Sequence, residues 1–233
     1  MKIKLAELII DVGDAGEFTQ NMCRDYAVDG DCVADITIKL KADAVKREQE
    51  LYPTAEVDYL ENICIYREIC REMVRFDAML IHSAAIAVDG KAYLFSAKSG
   101  TGKTTHINLW LKKFGDRAVI INGDKPLIRE IDGVLKVFGT PWCGKEGINQ
   151  NTSAPIEGIC ILNRGEENKI EQISKIDALA ELMGQTIRPE EGGAMMKLLD
   201  VLDKVIMNIP VYRLHCNMDI EAAEVAYSGM CRE

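Results

Sequence analysis

The stretch FSAKSGTGKTT, residues 95–105, sets Gly, Lys and Thr at the spacing of a phosphate-binding loop. Residues 97–104, AKSGTGKT, fit the eight-residue pattern with Ala in first position. In such a loop backbone N–H groups cradle a nucleotide's phosphates, the Lys reaches their outer oxygens and the Thr hydroxyl holds Mg²⁺. The pattern arises by chance in roughly one chain of this length in sixty, so its surroundings must decide. Ala92, Tyr93, Leu94 and Phe95 before it read as a strand, and Ile107, Leu109, Trp110 and Leu111 after it lie on a helical pattern. The loop therefore falls where a strand meets a helix N-terminus, a place that favours anions. Ser99, Gly100, Thr101, Gly102, Lys103, Thr104 and Thr105 are the expected nucleotide-binding residues, with ATP and Mg²⁺ as ligands.

Phosphoryl transfer also needs a group that orients or deprotonates the attacking oxygen. Asp124 follows the apolar run of Val119, Ile120 and Ile121, twenty residues beyond Thr104, a plausible spacing for a second strand beside the loop. Its carboxylate could reach Mg²⁺, beside Thr104, or the attacking hydroxyl; the plain alternative is a polar turn made by Asn122, Gly123 and Asp124. His82 either poises that Asp or contacts a phosphate, against the alternative of a core histidine satisfied by one hydrogen bond. Lys145, in the turn-rich stretch GTPWCGK at 139–145, could meet phosphates; Trp142 in the same stretch either packs on a ligand or anchors the loop. Arg164 and Arg188 are candidate charge stabilisers in loops.

Elements must position these residues. Residues 3–12 and 33–40 read as strands and 57–76 as an amphipathic helix, so residues 1–76 form an N-terminal β-rich appendage packed on a core at 77–233. Residues 79–88 read as a strand, Asp89 and Gly90 as a tight turn, and 91–95 as the returning strand that feeds the loop. An antiparallel neighbour is thus built in beside the loop-bearing strand, and an α/β fold with a mixed sheet is expected. Further strands are read at 118–121, 128–131, 135–138, 159–162 and 211–215, and helices at 176–183, 194–208 and from Asp219.

Composition bounds the rest. The chain has 233 residues, 48% of them hydrophobic, and a formal net charge of −9, which argues against a general nucleic-acid or membrane-surface binder. The N-terminus is too polar for a signal peptide or membrane span, so a cytoplasmic protein is expected. Eight cysteines without a CxxC pair and three dispersed histidines give no zinc or redox spacing; reduced, mostly buried thiols are expected.

The ordered set HSAAIA, FSAKSGTGKTT, INGDKPLIR and FGTPWCGK, within roughly residues 79–165, resembles the HPr kinase/phosphorylase family, whose superfamily includes the ATP-dependent phosphoenolpyruvate carboxykinases. The resemblance implies that fold type and transfer of the γ-phosphoryl group of ATP to a serine hydroxyl, with His82 at the start of the hairpin strand and Asp124 after the second strand. HPr kinases carry two adjacent aspartates where this chain has Asp124 and Lys125, so the division between base and metal ligand stays open: Asp124 serves as both, or it serves as base while Thr104 and water hold the metal, with Lys125 adding positive charge near the phosphates. No HPr-specific signature occurs in the last third, which argues against HPr itself as the acceptor; a hydroxyl, serine above all, of a small molecule, peptide or protein is expected. A nucleotide-binding regulatory or scaffold protein without catalysis is the alternative. Carboxykinase chemistry is disfavoured, since the chain is short and poor in His and Lys at recognisable positions for a Mn²⁺ site. The resemblance allows a homo-oligomer, although no interface signature is read.

Overall fold

The computed structural model describes residues 1–98 and 100–231. Strands β1 (Lys2–Leu5) and β2 (Leu8–Asp11) form a hairpin turned at Ala6 and Glu7, whose φ angles are 46° and 65°. The single strand expected over 3–12 is thus folded back, which brings Ile3 opposite Ile10 and Leu5 opposite Leu8, all four buried. Helix α1 (Glu17–Met22), strand β3 (Ile36–Thr37), helix α2 (Ala44–Leu51) and helix α3 (Val57–Met73) follow, with β3 parallel to β2. The strand expected over 33–40 is reduced to β3, and α1 and α2 add helix to the stretch expected to be β-rich, while α3 meets the helix expected over 57–76. In α3, Ile65, Tyr66, Ile69, Cys70 and Met73 recur on one face and cover the small sheet. The same apolar cluster continues into Leu80, Leu127, Phe138 and Trp142. Each aliphatic side chain fully buried there contributes about 1.5–3 kcal/mol, so these first elements are held firmly against the segment carrying Trp142.

The remaining elements are β4 (Ala78–Leu80), β5 (Ser83–Val88), β6 (Lys91–Ser96), α4 (Lys103–Phe114), β7 (Ala118–Asn122), β8 (Leu127–Ile131), β9 (Val134–Phe138), β10 (Ser153–Arg164), β11 (Lys169–Gln172), α5 (Lys175–Met183), α6 (Gly192–Asn208), β12 (Val211–Cys216) and α7 (Glu221–Met230). The larger sheet runs β4-β8-β9-β10-β6-β5-β7, with β12 beside β10 and β11 beside β12. It is mixed: β6 lies antiparallel to β5 and parallel to β10. Asp89 and Gly90 turn the β5–β6 hairpin at φ 51° and 80°, and Asp132 and Gly133 turn β8 into β9 at 52° and 78°.

Helices cover both faces of the sheet. Leu94 of β6 packs in a cluster with Leu182 of α5 and Leu198, Leu202 and Val205 of α6. Its neighbours Tyr93 and Phe95 point the other way, toward Ile107 and Trp110 of α4 and Ala222 and Ala226 of α7, as strand alternation requires. Coverage on both sides explains why all six residues of β5 are buried.

One expected strand is split. Over 79–88 the backbone breaks at Ile81 and His82, where Ile81 N–H donates to Pro126 O at 3.4 Å and His82 N–H to Gln185 O at 2.7 Å. Before the break β4 pairs with β8; after it β5 pairs with β6 and β7. The break turns His82 out of the strand ladder, which matters below. No helix among the described residues is long and apolar enough to cross a membrane.

Candidate functional site

The Gly-rich loop leaves β6 at Ser96 and enters α4 at Lys103. Gly100 and Gly102 adopt φ of 79° and 125°, backbone that residues with a Cβ rarely take, and a Cβ on Gly100 would meet nothing within 4 Å. The loop is therefore open on that side. Arg164, at the end of β10, braces it: its Nη2 donates to Gly100 O at 2.6 Å and its Nε to Thr101 O at 3.3 Å. Ser99 lies outside the described residues.

Three of the expected residues converge beside the loop. His82 Nε2 is 2.8 Å from Asp124 Oδ1, and Lys103 Nζ is 3.3 Å from the same His82 nitrogen. One nitrogen cannot donate to the carboxylate and accept from the ammonium together. The charge of the carboxylate favours Nε2–H donation to Asp124, which leaves Lys103 with the Ala97 carbonyl at 3.4 Å. The second Asp124 oxygen, Oδ2, meets Lys125 Nζ at 3.1 Å. Burial pushes the Asp124 carboxyl up, but the His82 hydrogen bond and the charges of Lys125 and His82 outweigh it and bring it down to about 2. Burial lowers the Lys103 ammonium, an effect the nearby Asp124 charge opposes.

Backbone placement explains why Asp124 points here. Asn122, fully buried at the end of β7, accepts from the N–H groups of Asp124 (2.8 Å) and Lys125 (2.7 Å) through Oδ1. Its Nδ2 donates to Thr140 O at 3.0 Å, so one side chain ties β7 to the loop after β9. Asn122, Gly123 and Asp124 do bend the chain, as composition favours, with Asn122 buried and Gly123 and Asp124 half-buried at the cavity. Gly144 (φ 83°) lies against it: a Cβ there would stand 3.1 Å from Asp124 Cβ.

These groups line one cavity of about 680 Å³. Lys98, Lys103, Lys125 and Lys145 give it positive charge, while Asp124 and Glu146 supply carboxylates. Opposite chemistry comes from the N-terminal elements: Phe18 and Met22 on α1 and Tyr59 and Ile63 on α3 line the same cavity. Phe18 and Tyr59 meet edge to face at 5.9 Å and both stay exposed. A second cavity of about 400 Å³ shares Gly100, Gly102 and Thr105 with the first and adds Leu109, Leu162, Asn217 and Met218.

Other expected residues behave differently. Trp142 is buried, stacks on Tyr66 at 4.1 Å and donates through Nε1 to Asn62 Oδ1 at 2.5 Å, so it anchors its loop, and it also lines the cavity of about 680 Å³. Arg188 is exposed and outside the lining of either cavity. All eight cysteines are free thiols, five of them buried. Residue types alone did not single out Glu146, Asn122, Phe18 or Tyr59. Glu146 adjoins Lys145 in the turn-rich stretch, the nearest the sequence comes to a signal for it.

No family model matches the chain, and no curated protein matches it. Among solved structures, the Hpr(Ser) kinase/phosphatase from Coxiella burnetii aligns at 8% sequence identity and a TM-score of 0.36, over 63% of this chain and 91% of that one. So remote a likeness leaves the chemistry to be argued from the residues themselves.

Proposed function

We propose that the protein is an ATP- and Mg²⁺-dependent kinase that transfers the γ-phosphoryl group to a hydroxyl, a seryl hydroxyl in a small molecule, peptide or protein. The observation that carries this reading is the convergence of His82, Lys103 and Asp124 on one cavity at the N-terminus of α4. The open Gly100 and Gly102 backbone fits phosphates. Lys103 and Thr104, the first two residues of α4, stand where an ammonium and a hydroxyl can serve phosphate and metal. Thr104 and a carboxylate of the cavity would hold Mg²⁺, which would supply charge neutralisation on the phosphates. The second cavity, apolar at Leu109, Leu162 and Met218, suits the nucleoside.

In the reaction, the acceptor hydroxyl gives its proton to Asp124 as its oxygen bonds the γ-phosphorus; the bond to the β,γ-bridging oxygen breaks and ADP leaves. A carboxyl at about 2 is a weak base, so Asp124 orients the hydroxyl early and takes the proton late, as a loose transition state permits. His82 and Lys125 hold its two oxygens in place. Phe18, Met22, Tyr59 and Ile63 face this chemistry, which favours an acceptor with an apolar group beside its hydroxyl.

A second reading, nucleotide binding without transfer, draws on the engagement of both Asp124 oxygens. Incubation with γ-labelled ATP, Mg²⁺ and either seryl peptides or cell extract separates the two. Label transfer that disappears in Lys103→Ala is the expected result; binding with no label in any acceptor would leave only the second reading.

A further inference from the structure

Helix α3 brings two pairs of side chains to the cavity, the members of each pair four residues and so about one helical turn apart. Tyr59 and Ile63 belong to the apolar wall, while Asn62 and Tyr66 are buried beside it. Asn62 is bonded in both directions. Its Nδ2 donates to Met22 Sδ at 3.1 Å, and its Oδ1 accepts from Trp142 Nε1 at 2.5 Å. Met22 is itself part of the wall. The Trp142 indole stacks on the Tyr66 ring at 4.1 Å with 18° between the planes, and the Tyr66 hydroxyl donates to the carbonyl oxygen of Lys125 at 2.8 Å. A continuous buried path thus runs from the wall to the residue that follows Asp124.

Packing alone does not require such a path, since apolar groups of the same shape in place of both partners of a buried hydrogen bond can be nearly neutral for stability. What the polar groups add is direction. From the sheet side, the Asp124 turn is held by Asn122 Oδ1, and Thr140 Oγ1 donates to the Lys125 carbonyl at 2.8 Å. Those bonds fix the carboxylate relative to β7 and the loop after β9. The Tyr66 hydroxyl fixes the same turn relative to α3, the helix against which an apolar group of the acceptor would lie.

We propose that Asn62 and Tyr66 are positioning residues that hold an acceptor bound on the α1–α3 wall in register with Asp124, which makes the N-terminal elements half of the acceptor site. This rests on the kinase reading above and assigns the geometry of transfer to residues outside the Gly-rich loop and its neighbours.

Two seryl peptides test it, one with phenylalanine and one with glycine after the serine, each incubated with the protein, γ-labelled ATP and Mg²⁺. Tyr66→Phe keeps an aromatic ring on Trp142 and leaves Thr140 on the Lys125 carbonyl, so no buried group loses its last partner. In that variant kcat for the phenylalanyl peptide is expected to fall about tenfold, because a bound but misplaced reactant loses rate, while the KM for that peptide stays within about twofold. The share of ATP turnover that labels the peptide rather than releasing phosphate to water should fall as well; a merely structural role would lower labelling and hydrolysis together. Asn62→Ala should give the same loss, and combining it with Tyr66→Phe should cost little more, since contacts along one path are not additive. Should Asn62→Ala fail to fold, the Tyr66→Phe result decides by itself. Wild-type kcat in Tyr66→Phe, an unchanged ratio of labelling to hydrolysis, or additive losses in the double variant would overturn the proposal. A wild-type protein that prefers the glycyl peptide, or labels neither, would overturn it too. The kinase reading survives those outcomes if label reaches an acceptor in cell extract and is lost in Lys103→Ala, and it falls if no acceptor is labelled.

Discussion

His82 Nε2 lies 2.8 Å from Asp124 Oδ1, and this contact joins two strand ends brought together from 42 residues apart. It exists because the backbone leaves the ladder at Ile81 and His82, and because Asn122 holds the turn that carries Asp124. With Lys125 on its other oxygen, the carboxylate is fixed in direction and ionised, its carboxyl down to about 2.

Asp124→Asn keeps the shape of the site and removes the proton acceptor. A general base is worth about 10²- to 10⁴-fold in rate, so kcat should fall by that order while ATP affinity, carried by the Gly-rich loop, stays within a few-fold. Single-turnover transfer and calorimetric nucleotide titration measure the two separately. Undiminished transfer would remove Asp124 from the chemistry.

Asn122→Ala strips two N–H groups of their acceptor at a fully buried position. Each unsatisfied buried group costs about 1–3 kcal/mol; a total near 2 kcal/mol would lower the melting temperature of a chain this size by roughly 4–8 °C. Transfer should fall as well, since the turn bearing Asp124 loses its tether to Thr140. Nucleotide affinity should hold, because the Gly-rich loop is braced independently by Arg164. Unchanged stability and transfer would show that the turn holds itself.

How much of this could be read from residues alone depended on whether local chemistry or long-range pairing decides the outcome. The loop between β6 and α4 and the two Asp-Gly hairpins were legible, since each depends on residues adjacent in sequence. The break at His82 was not, because the whole run from Met79 to Val88 is apolar apart from His82 and Ser83, and only pairing with β8 on one side and β6 on the other divides it. Asn122 read only as part of a polar turn; the later loop through Thr140 and Asn149 folds over it and buries it. Phe18 and Glu146 carried no periodic signal, and the cavity that gives them meaning is closed by elements far apart in the chain.

The apolar wall makes its own prediction. Phe18→Ala and Tyr59→Ala remove exposed rings that line the cavity without touching the Gly-rich loop. On the kinase reading, the KM for an acceptor bearing an apolar group beside its hydroxyl should rise several-fold while the KM for ATP is unchanged. Steady-state kinetics varying each substrate in turn would show the split. Equal effects on both substrates would place the wall at the nucleotide.

His106, on the first turn of α4, predicts an acid-sensitive fold. Its ring is buried, Trp110 Nε1–H donates to its Nε2 at 3.0 Å, and its Nδ1 has no hydrogen-bond partner among the described residues. The neutral ring therefore carries its hydrogen on Nδ1, and burial brings the imidazole down to about 4. The unfolded chain binds the same proton near 6.5, so between those values the unfolded state holds more protons and stability falls as the pH is lowered. The contribution is intact above about 6.5 and declines on acidification toward about 4, by about 3 kcal/mol at 1.36 kcal/mol per unit. Urea midpoints from pH 7 to 4.5 should drop more steeply in wild type than in His106→Gln, whose side chain can accept from Trp110 but does not titrate. Parallel slopes in the two proteins would show that the acid sensitivity comes from elsewhere. A steeper wild-type slope would tie the stability of the helix behind the Gly-rich loop to the neutrality of one buried ring.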